Sequence, residues 1–302
     1  MTLSSEITRA LKLTLPVVAL ESTVITHGLP HPQNLSLARD MEAAIRDEGA
    51  TPATIAILGG KVRVGLTDLE IEELARTKAI KVSRRDIASA IVQKSDGGTT
   101  VAGTMFIANQ AGIRLFATGG IGGVHRESPF DISADLQALA DTPMIVVCAG
   151  AKAILDLPAT LEYLETMSVP VVGFQTGEFP AFYSRESGLK TSLKLDTPEE
   201  IVAFALAHWG AGLKSAILVT NPVPKADAIP KAEMDPIIAK ASSEAKQQKI
   251  TGQALTPFLL DRIRELTSGK SLHTNLALLL NNARLAAQIA RTLTASRRTR
   301  TI

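Results

Sequence analysis

Short apolar runs that end in small or polar residues recur along the chain and predict β-strands. Each run is too short for a buried helix and is bounded by glycine, proline or polar residues. This is the pattern of a strand covered on both faces of a parallel sheet. The runs lie at residues 16–20, 54–58, 113–118, 144–148, 169–174 and 216–220.

Between these runs, apolar residues return every three or four positions, which predicts helices. The predicted helices lie at residues 35–48, 155–167 (interrupted near Pro158), 234–249, 256–266 and 272–293. Alternating strands and helices favour an α/β fold, a three-layer α/β/α sandwich around a largely parallel central sheet. We find no repeat or linker, so we expect one catalytic domain over residues 1–302, with residues 1–13 and 294–302 as terminal extensions.

Composition and charge exclude several classes of protein. The 302 residues are 45% hydrophobic and 21% charged with a net charge of +2, which is typical of a soluble globular protein. Aromatic residues make up only 4%, too few for the stacking surfaces of single-strand nucleic-acid binders. The single cysteine, Cys148, excludes an internal disulfide framework. The N-terminus does not resemble a secretory signal and no apolar stretch could cross a bilayer, so we expect a cytoplasmic protein without nucleic-acid or membrane partners.

One lysine, Lys152, follows the predicted strand 144–148 after the small residues 149–151, where we expect a helix to start. In open α/β sheets, ligands bind at the carboxyl ends of the strands. A lysine among apolar and small residues loses hydration, which favours a neutral and nucleophilic amine. The alternative is that Lys152 only begins a helix and points into solvent.

Other predicted strands also end in polar groups. Glu21 directly follows the first strand, where a buried carboxylate is costly unless it is paired or functional. The glycine-rich residues 119–123 precede His125 and Arg126, and such a loop can approach a phosphate closely. A glycine turn without any ligand is an equally good interpretation of this loop.

Two later segments carry polar residues of uncertain purpose. Asp131 and Asp135 are four residues apart, which allows recognition of a metal or a hydroxyl group. The alternative is helix capping by Asp131 or Ser133. Asn275, Asn281 and Asn282 are unexpected in an otherwise apolar helix, because each buried amide needs hydrogen-bond partners.

Several separated motifs together resemble the pseudouridine-5′-phosphate glycosidases of the indigoidine synthase A-like group, over about residues 16–289. The motifs are residues 20–23 (LEST), 26–30 (THGLP), 81–86 (KVSRRD), 117–126 (ATGGIGGVHR), 131–136 (DISADL), 147–152 (VCAGAK) and 281–283 (NNA). The resemblance implies reversible cleavage of the C–C glycosidic bond of pseudouridine 5′-phosphate, giving uracil and ribose 5-phosphate.

The implied reaction explains why a lysine is needed. A C–C bond cannot be released by protonating a leaving oxygen, as ordinary two-carboxylate glycosidases do. A Schiff base between an amine and the ring-opened ribose provides another route. The resemblance places the nucleophile at Lys152 and the proton donor at Glu21.

The resemblance also implies the rest of the site. Substrate contacts fall on Lys81, Val101, Ser133, Ala134, Asp135 and Asn275, with His125 as an unassigned candidate. Asp131 matches a manganese (Mn²⁺) ligand, and a carboxylate with mostly water ligands suits that ion. We expect a homotrimer, and we expect Lys81 to lie near Lys152, where a like charge would favour the neutral amine.

Two other functions remain open at this point. One is another Schiff-base enzyme acting on sugar phosphates, such as an aldolase, which would share Lys152 but not Glu21. The other is a non-catalytic regulator that binds a phosphosugar, in which Lys152 and Glu21 could both be lost.

Overall fold

The structure is a computed structural model and describes residues 1–126, 128–250 and 252–299. The strands are β1 (Thr2–Leu3), β2 (Val17–Leu20), β3 (Thr51–Leu58), β4 (Lys61–Val64), β5 (Ile80–Val82), β6 (Gly97–Thr99), β7 (Leu115–Ala117), β8 (Val124–His125), β9 (Ser128–Ile132), β10 (Ile145–Cys148), β11 (Leu155–Asp156), β12 (Val171–Phe174), β13 (Leu193–Leu195) and β14 (Ile217–Thr220).

Helices lie between many of these strands, and the last three helices follow β14. The helices are α1 (Ser5–Lys12), α2 (Gln33–Asp47), α3 (Asp68–Arg76), α4 (Ile87–Val92), α5 (Val101–Gln110), α6 (Ala134–Asp141), α7 (Leu157–Thr166), α8 (Pro198–Gly210), α9 (Lys231–Gln247), α10 (Leu255–Leu266) and α11 (Lys270–Thr299). Single helical turns lie at Val24–Gly28, Arg84–Asp86, Lys225–Asp227 and Gly252–Ala254. Among the helices of these described ranges, none is long and apolar enough to span a membrane.

The central sheet has the strand order β1-β4-β3-β2-β7-β10-β14-β12-β13, with β6 pairing β3 and β5 away from this path. The strands from β3 through β2 to β13 run parallel to one another, whereas β4 and β6 run antiparallel to β3. The predicted largely parallel sheet is therefore confirmed. A separate small antiparallel sheet has the order β11-β8-β9.

The chain leaves the middle of the sheet in opposite directions from β2 and from β7. From β2 it passes through α2 to β3, and from β7 it passes through α6 to β10 on the other side. Because such crossovers are right-handed, the two helices cover opposite faces. Helix α11 packs against α2 and α8, and α5 packs against α6. The predicted three-layer architecture is confirmed, and the carboxyl ends of β2 and β7 form a topological switch point, where ligands bind in such sheets.

One predicted helix begins later than the sequence-based prediction. The helix predicted at residues 155–167 with an interruption at Pro158 instead begins at Leu157, and Pro158 lies in its first turn. Proline is tolerated there because that backbone nitrogen has no helical acceptor. The first residues are packed into the domain: β1 pairs with β4, and Ile7 and Ala10 of α1 are buried. At the other end, α11 continues to Thr299, and residues 300–302 lie outside the described part.

Candidate active site

One cavity of about 730 Å³ lies at the carboxyl ends of the central strands. Its volume is within the range of small-molecule sites. All the site residues named from the sequence line this cavity: Glu21, Lys81, Val101, His125, Asp131, Ser133, Ala134, Asp135, Lys152 and Asn275. The fold therefore brings together residues that are up to 254 positions apart in the chain, from Glu21 to Asn275 (275 − 21).

Glu21 lies at the switch point, directly after β2. The hydroxyl of Thr118, directly after the neighbouring strand β7, donates a hydrogen bond to Oε1 of Glu21. Burial raises the pKa of the Glu21 carboxyl, and the negative charge of Asp135 adds to the rise. The charges of Lys152 and Lys81 and the hydrogen bond from Thr118 oppose it. The net rise favours a protonated Glu21, which can act as an acid.

Lys152 lies in a loop rather than at the start of a helix, so that prediction is wrong. After β10 the chain turns at Gly150, whose φ is +86° and where a Cβ would lie 2.2 Å from the carbonyl oxygen of Pro180. The backbone N–H of Lys152 then donates to the carbonyl of Ile121 at 3.1 Å. Helix α7 begins only at Leu157, and the half-buried Lys152 side chain lines the cavity.

Arg126 holds the loop that carries Lys152. Its Nε donates to the carbonyl of Leu155 at 3.1 Å, and its Nη2 donates to the carbonyl of Ala153 at 2.9 Å. The guanidinium of Arg126 thus binds two backbone carbonyls of this loop, one before and one after residue 154. Of the pair His125 and Arg126, only His125 lines the cavity, so the structure gives Arg126 a different place from the predicted anion site.

Lys81 is half-buried on β5 and lines the same cavity as Lys152. Burial lowers the pKa of the Lys81 amine, and the charge of Lys152 lowers it further. The carboxylates of Asp135 and Glu21 have the opposite effect. The two lysines and the two acids are therefore close enough for the charge of one to change the proton affinity of another.

Asp135 is buried and links helix α5 to the glycine-rich loop of residues 119–123. Its Oδ1 accepts the N–H of Ala102 at 3.0 Å, in the first turn of α5, and its Oδ2 accepts the N–H of Gly122 at 2.8 Å. Asp131 lies on β9, so the two aspartates do not share a helix face. Of the two capping alternatives, Ser133 is the one observed: its hydroxyl accepts the N–H of Asp135 at 3.2 Å.

Asp135→Asn is expected to lower the free energy of unfolding by roughly 1–3 kcal/mol. An asparagine has one acceptor oxygen, so its NH₂ group would face a backbone N–H and that buried N–H would lose its acceptor. Denaturant-induced unfolding measures the change. Asp40→Asn, at an exposed position of α2, is the matched control and should change little. Equal stability of the two variants would contradict the bridging role of Asp135.

His27 and Phe182 are among the cavity residues that were not named as site residues from the sequence. His27 lies in the single turn Val24–Gly28, and Thr26 Oγ1 lies 2.7 Å from His27 Nδ1. The sequence feature that could have identified His27 is its place in the motif of residues 26–30. Phe182 has a φ of +61°, and its ring lies so close to Gly120 that a Cβ there would be 2.6 Å away. No sequence pattern indicates a left-handed phenylalanine.

The imidazole of His27 is expected to titrate below its ordinary range, because burial and then the charge of Lys81 lower its pKa. Lys81→Met removes that charge and should raise the pKa of His27. The pH titration of the His27 ring protons by NMR measures both effects, with His27→Asn for assignment. Lys78→Met, exposed near the same strand, is the control. An unchanged His27 titration in Lys81→Met would show that the two groups do not interact.

The residues of the cavity fit only a weakly held metal ion. Asp131 is exposed at the cavity lining, where a carboxylate oxygen can bind a hard cation. Within residues 1–126, 128–250 and 252–299, no group of three or more His, Cys, Asp or Glu side chains is arranged to hold a metal. A single carboxylate is compatible with an ion that keeps most of its water ligands.

Sequence comparisons identify the family and its relatives. A model of the family described as indigoidine synthase A-like protein matches residues 6–292. The pseudouridine-5′-phosphate glycosidase of Solibacter usitatus is 58% identical over 288 residues, covering 94% of this chain and 96% of that protein. The pseudouridine-5′-phosphate glycosidase of Paracoccus denitrificans is 57% identical over 293 residues, covering 95% of this chain and 96% of that protein.

Solved structures share the fold. A crystal structure of an indigoidine synthase A-like protein from Thermotoga maritima matches with a TM-score of 0.88 and 38% identity, covering 93% of this chain and 94% of that one. The prealnumycin C-glycosynthase AlnA, in complex with ribulose 5-phosphate, matches with a TM-score of 0.91 and 42% identity, covering 99% of this chain and 98% of that one. The chain therefore belongs to the indigoidine synthase A-like family.

Proposed function

We propose that this protein is a pseudouridine-5′-phosphate glycosidase, which cleaves the C–C glycosidic bond of pseudouridine 5′-phosphate reversibly to uracil and ribose 5-phosphate. The observation that carries the proposal is that Glu21, with a raised pKa, and Lys152 share one cavity and interact electrostatically. Relatives that carry this name are 58% and 57% identical over nearly the whole chain.

The chemistry assigns one step to each of these side chains. Opening of the ribose ring breaks the bond between C1′ and the ring oxygen, which leaves as a hydroxyl. The Lys152 amine bonds to C1′ in its place, and the proton that the amine loses balances the one that the oxygen gains. Breaking the bond between C1′ and uracil leaves an imine between Lys152 and the sugar, and the electron pair goes to the uracil carbon. That carbon takes a proton from Glu21. Water then hydrolyses the imine, which releases ribose 5-phosphate and returns the free amine.

The remaining cavity residues bind and orient the substrate in this proposal. Lys81 and His125 supply positive or hydrogen-bonding groups, and Val101 is the first residue of α5, so its N–H has no acceptor within the helix. Asn275 and the Ser133–Asp135 turn complete the wall. Asp131 would hold a manganese ion, which would neutralise negative charge near the substrate. We further propose that the protein assembles as a homotrimer.

Release of uracil from pseudouridine 5′-phosphate, measured with and without manganese, tests the proposed activity. Uracil should appear together with an equal amount of ribose 5-phosphate, faster with manganese than without it. An aldolase would instead cleave a sugar phosphate without a nucleobase, and a regulator would bind ribose 5-phosphate without turnover. Absence of uracil under both conditions would contradict the proposal, and sedimentation analysis of the purified protein checks the trimer.

A further inference from the structure

A buried polar chain lies beneath the cavity. Its members are Thr118, Asn221 and Asn282, whose side chains are 0%, 6% and 0% exposed. They follow β7, follow β14 and lie within α11, respectively. None of them lines the cavity, so none touches the substrate.

The hydrogen bonds among Thr118, Asn221 and Asn282 have one consistent direction. Asn221 Nδ2 donates to Asn282 Oδ1 at 3.1 Å, and Asn282 Nδ2 donates to the carbonyl of Thr118 at 2.9 Å. A carbonyl can only accept, so Asn282 must present its NH₂ group to Thr118 and its oxygen to Asn221. The hydroxyl of Thr118 donates to Oε1 of Glu21, which completes the chain.

This hydrogen-bond network connects several separate elements of the fold. The N–H of Asn221 donates to the carbonyl of Cys148 at 2.8 Å, at the end of β10, and the N–H of Thr118 donates to Val147 at 3.0 Å. Asn282 also approaches the carbonyl of Gly119 at 3.4 Å. The ends of three neighbouring strands are thereby tied to one helix at the switch point.

Stability alone does not explain these residues. Asn282 is surrounded along α11 by the buried Leu279, Ala283 and Ala286. Burying an amide there is costly unless its hydrogen bonds are satisfied, and an apolar replacement of both partners can be nearly neutral. A polar chain that ends on an acid in the cavity therefore points to a positioning role for that acid.

We propose that Thr118, held by Asn282, positions the Glu21 carboxyl and selects which of its oxygens carries the proton. Oε1 accepts the hydrogen bond from Thr118, so it is the carbonyl oxygen of the protonated acid. The transferable proton is then on Oε2. This inference rests on the proposed function of Glu21 as proton donor.

Thr118→Val tests the proposal, because valine keeps the shape of threonine and removes the donor. We expect kcat to fall by roughly tenfold to a hundredfold, the effect of one hydrogen bond to an ionisable group. KM should stay within about twofold, since Thr118 does not touch the substrate. Thr118→Ser keeps the hydroxyl and should restore kcat. A valine variant as active as the serine variant, or a rise in KM that matches the fall in kcat, would overturn the proposal.

The pH profile provides a readout that a merely structural role would not change. The hydrogen bond from Thr118 lowers the pKa of Glu21, so Thr118→Val should raise that pKa further. Activity that needs protonated Glu21 should then persist to higher pH. The charged groups that act on Glu21, namely Lys152, Asp135 and Lys81, are the same in both variants. The proposal would be contradicted if Thr118→Val is active and its activity falls at the same high pH as that of the wild type.

Asn282→Leu provides a second variant in case Thr118→Val does not fold. It should lower kcat and shift the high-pH fall in activity to higher pH, as Thr118→Val does. Asn281→Leu is its control. The Asn281 amide donates to the carbonyl of Pro222 at 3.2 Å and is not a member of the network of Thr118, Asn221 and Asn282. It should leave the pH of that fall in activity unchanged.

Failure of the proposed function can be told apart from failure of the positioning role. A ¹³C-NMR titration of the Glu21 carboxyl needs no substrate. Absence of uracil release by the wild-type protein would overturn both proposals. Uracil release with an equal Glu21 titration in wild type, Thr118→Val and Asn282→Leu would overturn only the positioning role.

Discussion

Lys152→Ala is expected to lower the rate of uracil release from pseudouridine 5′-phosphate by roughly 10⁴-fold or more, because the covalent route through the amine is lost. Lys152→Arg should be equally inactive. It keeps a positive charge near Glu21 and Lys81, but a guanidinium stays protonated and cannot form the imine. The arginine variant therefore separates the nucleophilic role of Lys152 from its effect on the pKa values of its neighbours.

The control for Lys152 is Lys214→Ala, at an exposed position before β14, which should retain wild-type activity. Borohydride reduction in the presence of ribose 5-phosphate should attach the sugar to the peptide that carries Lys152. The adduct should form in the wild type and in Lys214→Ala, and it should be absent from both Lys152 variants. Uracil release by Lys152→Ala at near wild-type rates, or an adduct on another lysine, would contradict the assignment.

The sheet could be predicted from the sequence because its central strands are covered on both faces. Strands β2, β7, β10 and β14 are fully buried, so each appears as a continuous apolar run. Which strands become neighbours depends on contacts between distant residues. The pairing of β2 with β7 brings Glu21 next to Thr118, 97 positions later, and no local pattern contains that contact.

The site could be predicted only in part for the same reason. The position of Glu21 after a strand indicated a costly carboxylate, and the structure shows the environment that raises its pKa. The loop of Lys152 was mistaken for a helix start, because the pairing of β11 with β8 and the hydrogen bonds from Arg126 replace the first helical turn. Lys81 and Val101 were named only through the family resemblance, whereas Asn275 was also unexpected in an otherwise apolar helix.

The buried asparagine of α11 shows how an unusual pattern can be explained by the tertiary structure. Its amide was unexpected in an apolar helix, and the structure shows both ends of the Asn282 side chain hydrogen-bonded. Its neighbour Asn281 donates to the backbone carbonyl of Pro222, and Asn275 lines the cavity. Three similar residues on one helix thus have three different places, which spacing alone could not distinguish.

Glu21→Gln is expected to lower kcat by roughly 10²- to 10⁴-fold, the usual contribution of a positioned acid. Glutamine keeps the size of the side chain and can still accept the hydrogen bond from Thr118, but it has no acidic proton to transfer. KM should change little. The steady-state rate of uracil release measures both constants, with Glu162→Gln, exposed on α7, as the control. A Glu21→Gln enzyme that retains wild-type kcat would exclude Glu21 as the proton donor.

The same substitution is expected to stabilise the folded protein at pH values above the folded-state pKa of Glu21. Burial raises the pKa of Glu21 in the folded state above its value in the unfolded chain. The folded state therefore binds this proton more tightly, and stability falls as pH rises from the unfolded pKa through the folded pKa. Above that window the wild type carries a poorly solvated carboxylate, which glutamine avoids. Thermal unfolding should thus show a higher Tm for Glu21→Gln, by roughly 1.5–2 °C per kcal/mol regained, only above the folded-state pKa of Glu21. An equal Tm difference at acidic and alkaline pH would mean that the carboxylate charge is not its cause.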